Sequence, residues 1–179
     1  MFHALIRKRR SIRKYQDKPV EREKIDLLVE AALRSPSSRG YNPWRFIVVT
    51  EPDLLVRLSG TKPHGSTFLK GAPLGIVVCG DGEKSDMWIE DCSIACTFIQ
   101  LAAESLGLGS CWIQVRGRKH SDTVSADAYI SELLDIPKGL SVESIIAVGY
   151  PGESKNPHPG DELQVEKVHL NAFDVPFTS

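Results

Sequence analysis

The sequence has almost no net charge and no long apolar run, and each absence argues against a class of protein. Its 179 residues include 22 basic and 23 acidic side chains, so the formal net charge is −1. Proteins that bind nucleic acids or membrane surfaces usually spread basic charge over a whole face. The longest apolar runs, such as residues 74–79, are far shorter than the roughly 18 residues of a membrane span. We therefore expect a protein that binds neither nucleic acid nor a membrane.

The sequence also lacks a cysteine framework and a cluster of metal ligands. Its four cysteines, Cys79, Cys92, Cys96 and Cys111, are scattered through apolar segments. Cys92 and Cys96 have helical i, i+4 spacing, but no paired histidine or third cysteine lies nearby, so we interpret them as small core residues. The N-terminal residues reach Arg7 before an apolar export segment can form. We expect a cytoplasmic protein with reduced thiols and no metal.

The pattern of apolar residues predicts a single domain, residues 1–179, with enough chain for a core and a cavity. Helical periodicity predicts helices over residues 2–10, 21–34, 52–58, 87–106 and 125–134. Apolar runs predict strands over residues 44–50, 75–80, 110–115 and 143–150, of which 75–80 is nearly all apolar and is expected to be central. Residues 35–43 are rich in turn formers and are expected to form a loop.

The helix predicted at 87–106 is apolar on two stripes, one of which contains Ile94, Phe98 and Leu101. A helix that is apolar around most of its circumference must be covered nearly everywhere. One domain of this size is able to cover it alone, but a second copy of the chain is the easier solution. The C-terminal residues after Pro151 are first polar and proline-rich and then apolar, so they must lie against another surface. Both features favour a dimer.

Residues 7–15, RKRRSIRKY, concentrate positive charge in a nearly neutral chain. Three interpretations compete: a nucleic-acid contact, a solvated helix end, and a pocket for one small, doubly charged anion. Runs of charge are usually solvated. However, Arg9, Arg10 and Arg13 alternate with Ser11 and the apolar Ile12. Guanidinium groups bind phosphate in a bidentate manner, and serine adds a short donor, so this segment is also suited to a phosphate monoester.

Five segments, in this order, resemble the nitroreductase family. They are RRSIRKY, SPSSRGYNPWRFIVV, the Ala72-Pro73 pair before a strand, LAAESLGLGSCWI and IIAVGYP. Together they extend over nearly the whole chain. The resemblance implies an α+β fold with a central, mostly antiparallel mixed sheet flanked by helices. It also implies an FMN-dependent enzyme that forms an intertwined homodimer with its two active sites at the subunit interface.

The resemblance assigns the cofactor contacts residue by residue. The basic segment corresponds to the contacts with the FMN phosphate and ribityl chain, and the loop after the second helix corresponds to a Pro-Ser loop that reaches the flavin of the other subunit. Residues 87–106 correspond to the dimer-interface helix, and residues 156–179 to an extended tail that wraps around the partner. The predicted cofactor-binding residues are Arg9, Arg10, Ser11, Arg13, Pro36, Ser37, Ser38, Asn42, Ile113, Gln114 and Lys155.

The sequence departs from the family pattern at several of these positions. Asn42 replaces the usual glutamine, and Gly40 lies where asparagine is common. Ile113 and Gln114 correspond to a strand end whose backbone approaches the flavin ring, where Gln114 and Val115 replace frequent glycines. Lys155 is the candidate for the basic tail position that helps to hold the phosphate.

The resemblance implies an oxidoreductase that takes hydride from NADH or NADPH and reduces nitroaromatics, quinones or similar small acceptors by a ping-pong mechanism. The flavin performs this chemistry, so no catalytic side chain is required, and the five histidines are indeed too dispersed to form a triad. One alternative is a flavoprotein of the same fold with other reductive chemistry, such as dehalogenation or flavin breakdown. Another is a non-enzymatic flavin-binding module, and a nucleic-acid binder is a third.

Overall fold

The computed structural model describes residues 2–177, which contain five α-helices and four β-strands. The helices are α1 (Phe2–Lys8), α2 (Arg22–Leu33), α3 (Pro52–Ser59), α4 (Trp88–Ser105) and α5 (Ala126–Leu133). The strands are β1 (Trp44–Val49), β2 (Leu74–Asp81), β3 (Gly109–Gln114) and β4 (Leu140–Gly149). Short 3-10 turns occupy Ser38–Gly40, Thr67–Gly71, Gly160–Glu162 and Val165–Lys167. Every predicted helix and strand is present with slightly different boundaries, whereas the turn at Thr67–Gly71 was not predicted.

The four strands form one sheet in the order β1-β2-β4-β3, and each neighbouring pair is antiparallel. The apolar strand β2 is central, as predicted, while β3 lies at an edge. Within residues 2–177, the parallel pairing is an isolated bridge between Ser11 and Ser110. The predicted α+β fold is therefore confirmed, and its mixed character rests on this bridge beside β3.

The core has two layers because alternate residues of each strand point to opposite faces of the sheet. On one face, Ile76 and Val78 pack with buried residues of α2 and α4. On the other face, Val77 and Cys79 pack with buried residues of α3 and α5. Helix α4 approaches the sheet closely at Gly80, where a Cβ atom would lie 2.3 Å from Trp88 Cε3.

All four cysteines are unpaired and buried in this core. Burial raises the pKa of Cys79 and of Cys96 to about 12, so both stay protonated at neutral pH. Their positions confirm the interpretation of these residues as small apolar side chains. No group of three or more histidine, cysteine or acidic side chains suited to a metal ion is found in residues 2–177.

Two apolar surfaces remain exposed. The outward stripe of α4 includes Ile94 and Phe98, and the tail exposes large side chains such as Phe173, which is 81% accessible. The tail contains two of the 3-10 turns and a bridge between His169 and Pro176. The last two residues of the predicted tail, 178 and 179, lie outside the described residues. None of the described helices combines the length and apolar character that crossing a bilayer demands.

Candidate cofactor site

The basic segment runs along the edge of the sheet beside β3. The backbone N–H of Ile12 donates to the carbonyl oxygen of Ser110 at 3.0 Å, next to the parallel bridge between Ser11 and Ser110. Gly109 allows this approach, because a Cβ atom there would lie 2.8 Å from Ile12 Cβ. The glycine therefore permits the segment to pack against the strand, which fixes the position of each cation.

The extended backbone sends successive side chains of this segment to opposite sides. Arg9 and Ser11 line a cavity of about 450 Å³ together with Thr97 and Gln100 of α4. Arg10 instead lines a cleft of about 160 Å³ formed with residues 107–109 and 153–155. The structure therefore brings Arg9 and Ser11 together and places Arg10 against residues 153–155, while Arg9 also lines a second cavity with tail residues such as Pro157.

Hydrogen bonds hold the start of the tail against the basic segment. The guanidinium of Arg10 donates to the carbonyl oxygen of Asn156, and Lys155 Nζ donates to the carbonyl oxygen of Ser11 at 2.6 Å. Glu153 Oε1 accepts from the backbone N–H of Arg13 at 2.6 Å and lies 3.3 Å from Lys155 Nζ. The Arg13 N–H in particular lowers the pKa of Glu153. The predicted residue Lys155 thus lies beside Ser11, held in place by Glu153.

Four predicted residues, Arg9, Ser11, Arg13 and Lys155, lie close enough to Cys111 on β3 to affect the pKa of its thiol. Burial raises the pKa of this thiol, while the charges of Arg13, Lys155 and Arg9 and a hydrogen bond with the Ser11 side chain oppose that shift. The Arg13 guanidinium also lies 5.8 Å from the centre of the Phe68 ring. Neither Arg9 nor Arg13 belongs to an ion pair among the described residues. The cations here are consequently available to an anion.

Strand β3 leaves part of its backbone unpaired at this edge. The carbonyl of Ser110 points outward, towards Ile12, so the alternation of an antiparallel ladder directs the backbone groups of Trp112 and Gln114 outward as well. The backbone groups of Ile113 point towards β4, and its side chain is fully buried. Of the two predicted residues at this strand end, Gln114 therefore presents its backbone to the free edge.

The side chain of Gln114 is held within the protein. Its Oε1 accepts from Trp112 Nε1 at 2.9 Å, and its Nε2 donates to Glu143 Oε1 at 3.2 Å. The buried carboxylate of Glu143 also pairs with Arg116 Nε at 2.7 Å. These contacts fix the strand end.

The loop at residues 35–43 is locked by its own polar groups and by α4. Ser37 Oγ donates to Asn42 Oδ1 at 2.6 Å and accepts from the backbone N–H of Asn42 at 3.0 Å. The backbone N–H of Ser38 donates to Asp91 Oδ1 at 2.8 Å. Left-handed backbone conformations at Asn42 (φ 48°) and Gly40 (φ 67°) close the turn, which favours glycine and asparagine at these positions. This leaves the Nδ2 donors of Asn42 available.

Within one chain, this loop and the basic segment contact different parts of α4. Ser38 contacts Asp91 in the first turn, whereas Arg9 and Ser11 face the cavity at Thr97 and Gln100. At a rise of 1.5 Å per residue, these positions are roughly 9 to 14 Å apart along the helix axis. The predicted contacts to one flavin therefore form two separate groups in a single subunit.

A family model described as Nitroreductase family matches residues 6–62 and 60–150. The chain belongs to the nitroreductase family. Among solved nitroreductase-family structures, an FMN-dependent nitroreductase from Clostridium difficile R20291 is 52% identical to this chain, with a TM-score of 0.93. That comparison covers 94% of this chain and 98% of the other.

Two further relatives show the range of activities named for similar proteins. A protein of Methanothermobacter thermautotrophicus, provisionally named NADH dehydrogenase/NAD(P)H nitroreductase, is 40% identical over 94% of this chain and 85% of its own. The iodotyrosine deiodinase of Thermotoga neapolitana is 26% identical over 92% of this chain and 96% of its own. Similarity to the nitroreductase family thus extends over most of the chain.

Proposed function

We propose that this protein is an FMN-dependent oxidoreductase that takes hydride from NADH or NADPH and reduces a small acceptor. The observation that carries the proposal is the group formed by Arg9, Ser11 and Arg13 beside the free edge of β3. Two arginines without acidic partners among the described residues suit a dianionic phosphate. The named activity of the 52% identical relative supports the same cofactor.

The residues at this site fit FMN in both charge and hydrogen-bonding capacity. Arg9, Ser11 and Arg13 would hold the phosphate and the ribityl chain, while Arg10 and Lys155 would support that segment from the tail. The outward backbone groups of Trp112 and Gln114 offer donors and acceptors for the edge of the ring, and Ile113 forms the packed support behind them. When bound, FMN supplies the redox chemistry, and the protein binds it, orients it and excludes water.

The proposed working form is a homodimer in which each cofactor contacts both subunits. The exposed stripe of α4 with Ile94 and Phe98, and the exposed apolar residues of the tail, support this assembly. Residues 156–179 would wrap around the partner. Pro36, Ser37, Ser38 and Asn42 would reach the cofactor that the partner's basic segment holds, which accounts for the two separate groups within one chain. Because the cysteines are unpaired, we place the dimer in the cytoplasm.

The proposed acceptors are nitroaromatics, quinones and similar small molecules. In a ping-pong mechanism, the acceptor would bind at the nicotinamide site after the oxidised nicotinamide has left. Reductive dehalogenation is the second candidate, because a deiodinase is among the relatives.

The visible spectrum of the purified protein, followed by anaerobic titration with NADH and NADPH, tests the proposal. We expect a flavin spectrum that either nicotinamide bleaches and that a nitroaromatic or a quinone restores. A bound flavin that neither nicotinamide bleaches would instead identify a non-enzymatic flavin-binding module. Recovery of the spectrum with 3-iodotyrosine, but with no nitroaromatic or quinone, would favour the dehalogenase. A protein that retains no flavin would contradict the proposal altogether.

A further inference from the structure

Two loops meet beyond the C-terminal end of β3 and carry Lys62 and Arg118. The backbone N–H of Arg118 donates to the carbonyl oxygen of Val115 at 3.0 Å, so Arg118 follows the strand directly in a tight turn. His120 Nδ1 lies 3.0 Å from the carbonyl oxygen of Gly60 and 3.2 Å from that of Thr61. Both of these neighbours are acceptors, so Nδ1 is the protonated nitrogen. This contact fastens the loop containing Arg118 to the residue before Lys62.

The junction between these loops is well supported. The His120 ring stacks on Tyr129 of α5, with centroids 4.0 Å apart and planes 5° from parallel. The Tyr129 hydroxyl donates to the carbonyl oxygen of Arg57 at 2.9 Å, which ties α5 to α3. On the other side, Ser66 Oγ donates to the carbonyl oxygen of Lys62 at 3.2 Å. The positions of Lys62 and Arg118 are therefore set by packed elements.

Neither cation has an acidic partner among the ion pairs of residues 2–177. Lys62 is partly buried, and its pKa is lowered, first by that burial and then by the charge of Arg118, while Cys111 opposes the shift. Partial desolvation and a like charge both disfavour the ammonium ion. An anion bound between the two side chains would offset both the partial loss of hydration of Lys62 and its repulsion by Arg118.

The end of β3 that carries Arg118 is distinct from the end that carries the group proposed to bind the cofactor phosphate. Arg9 and Ser11 lie at the start of β3, beside Ser110, whereas Arg118 follows the other end, beyond Gln114. At about 3.3 Å per residue, the strand alone separates these ends by roughly 13 Å. One phosphate group is much smaller than this distance, so a phosphate at Ser11 does not reach Arg118.

We infer that Lys62 and Arg118 form a second anion subsite, which binds a carboxylate or sulfonate group of the electron acceptor. The inference rests on the proposed function, in which the backbone of Gln114 contacts the ring end of the cofactor and the acceptor must lie close by. Arg118 follows that end of β3, and the contact of His120 with Gly60 and Thr61 brings the loop of Lys62 beside it. The subsite makes acceptors that carry an anionic group better substrates than neutral acceptors with the same reducible group.

A matched pair of substrates tests this specificity. The ratio of kcat/KM for 4-nitrobenzoate to that for its neutral methyl ester is measured in wild-type protein and in Lys62→Met/Arg118→Gln. We expect the ratio to fall about tenfold or more in the variant, because a charge-assisted contact is lost from the acid alone. Lys70→Met is the control, since exposed Lys70 lines a separate groove with Gln16 and Lys18. It should leave the ratio unchanged, and Lys62→Arg should largely preserve it.

Several results would overturn the inference. An equal ratio in the double variant and in the wild type would show that the pair does not recognise the anionic group. A loss of FMN retention in the variant would assign the pair to the cofactor, and a selective loss of NADPH use would assign it to the donor. Calorimetric titration of the purified protein with benzoate, and with neutral benzamide, reports on the pair without turnover. We expect benzoate binding to weaken about tenfold in the variant, and equal binding would reject the subsite. Failure of the wild type to reduce even the methyl ester would instead count against the proposed function.

Discussion

The backbone N–H of Ser38 donates a 2.8 Å hydrogen bond to Asp91 Oδ1, linking the loop at residues 35–43 to the first turn of α4. Asp91 is only 2% accessible, and its Oδ2 has no hydrogen-bond partner within residues 2–177. A buried carboxylate is costly unless it is well paired, so its presence in an apolar helix indicates a positioning role. The same helix faces the cavity at Arg9 and also carries the exposed stripe, so this contact connects the loop, the site and the surface proposed for the dimer.

We expect Asp91→Ala to destabilise the protein by about 1–3 kcal/mol, because it leaves the partly buried Ser38 N–H without its acceptor. FMN affinity should also fall, since the loop loses its anchor. Asp91→Asn keeps a carbonyl acceptor and should preserve FMN affinity. Urea unfolding and fluorescence titration with FMN measure the two effects. An Asp91→Ala protein with wild-type FMN affinity would show that the loop needs no such anchor.

Arg13→Ala should weaken FMN binding, and Arg9→Ala/Arg13→Ala should weaken it further. Each charge-assisted hydrogen bond to the phosphate contributes about 1.5–3 kcal/mol. Fluorescence titration gives the affinity, and circular dichroism checks the fold. Arg34→Ala, which removes an exposed arginine paired with Glu30, is the matched control. Arg10→Ala should have a smaller effect, because its guanidinium contacts the tail. Unchanged FMN affinity in the double variant would reject the phosphate site.

The exposed stripe of α4 should be the surface where the two subunits meet. Phe98→Glu or Ile94→Glu places a charge in that interface and should shift the protein towards monomers, because burying an unpaired charge is costly. Sedimentation velocity at micromolar concentration measures the shift. Lys138→Glu, an exposed change in the turn before β4, provides the control. A monomeric wild type under these conditions would end the proposal of a dimer.

Mixed dimers test whether each cofactor site combines two chains. One subunit carries Arg9→Ala/Arg13→Ala and the other carries Ser37→Ala/Ser38→Pro in the loop. If each site uses the basic segment of one chain and the loop of the other, both defects fall on one site, so the second is intact and activity returns. If mixed dimers are shown to form but no activity is recovered, each cofactor is bound within a single subunit.

Acid should release the start of the tail through Glu153. The pKa of this residue is lowered, so the native state binds fewer protons here than the unfolded chain does, and stability falls as pH decreases. The stabilisation is complete above the ordinary glutamate pKa of about 4.3 and is lost as pH drops through the lower native value. Glu153→Gln should therefore be less stable than wild type at pH 7 and should converge with it as the pH falls below the native pKa of Glu153. Urea midpoints across this range measure the difference, and parallel curves would contradict it.

Elements with a strong local pattern were predictable from the sequence. The apolar residues of α2 and α4 recur with helical periodicity, and β2 is nearly all apolar. These patterns predict the elements because each element must bury one or both of its faces. The side on which each arginine lies was not predictable. Arg9 and Arg10 are chemically equal neighbours, and the pairing of Ser11 with Ser110, 99 positions along the chain, decides which of them faces the cavity.

The site residues that the sequence did not reveal have partners far away in the chain. Asp91 in α4 resembled an ordinary surface charge, since its contact with Ser38 exists only in the folded structure. Cys111 resembled a plain core residue, but in the folded chain Arg13 and Ser11 lie close enough to affect the pKa of its thiol. Lys62 and Arg118 belong to loops without a motif, and only the contact of His120 with Gly60 and Thr61 shows that these loops adjoin. Local patterns predict elements, whereas long-range contacts create sites.

The packing of Ile12 against Gly109 also bears on the solubility of the protein. Unpaired strand edges are templates on which other chains add strands and aggregate. The basic segment covers the beginning of β3 with its own backbone and surrounds it with positive charge, but it diverges before Trp112 and Gln114. The part of the edge that stays open is the part proposed to contact the flavin ring. Cofactor binding would therefore complete the protection of this edge, and a subunit that loses its flavin would become prone to self-association as well as inactive.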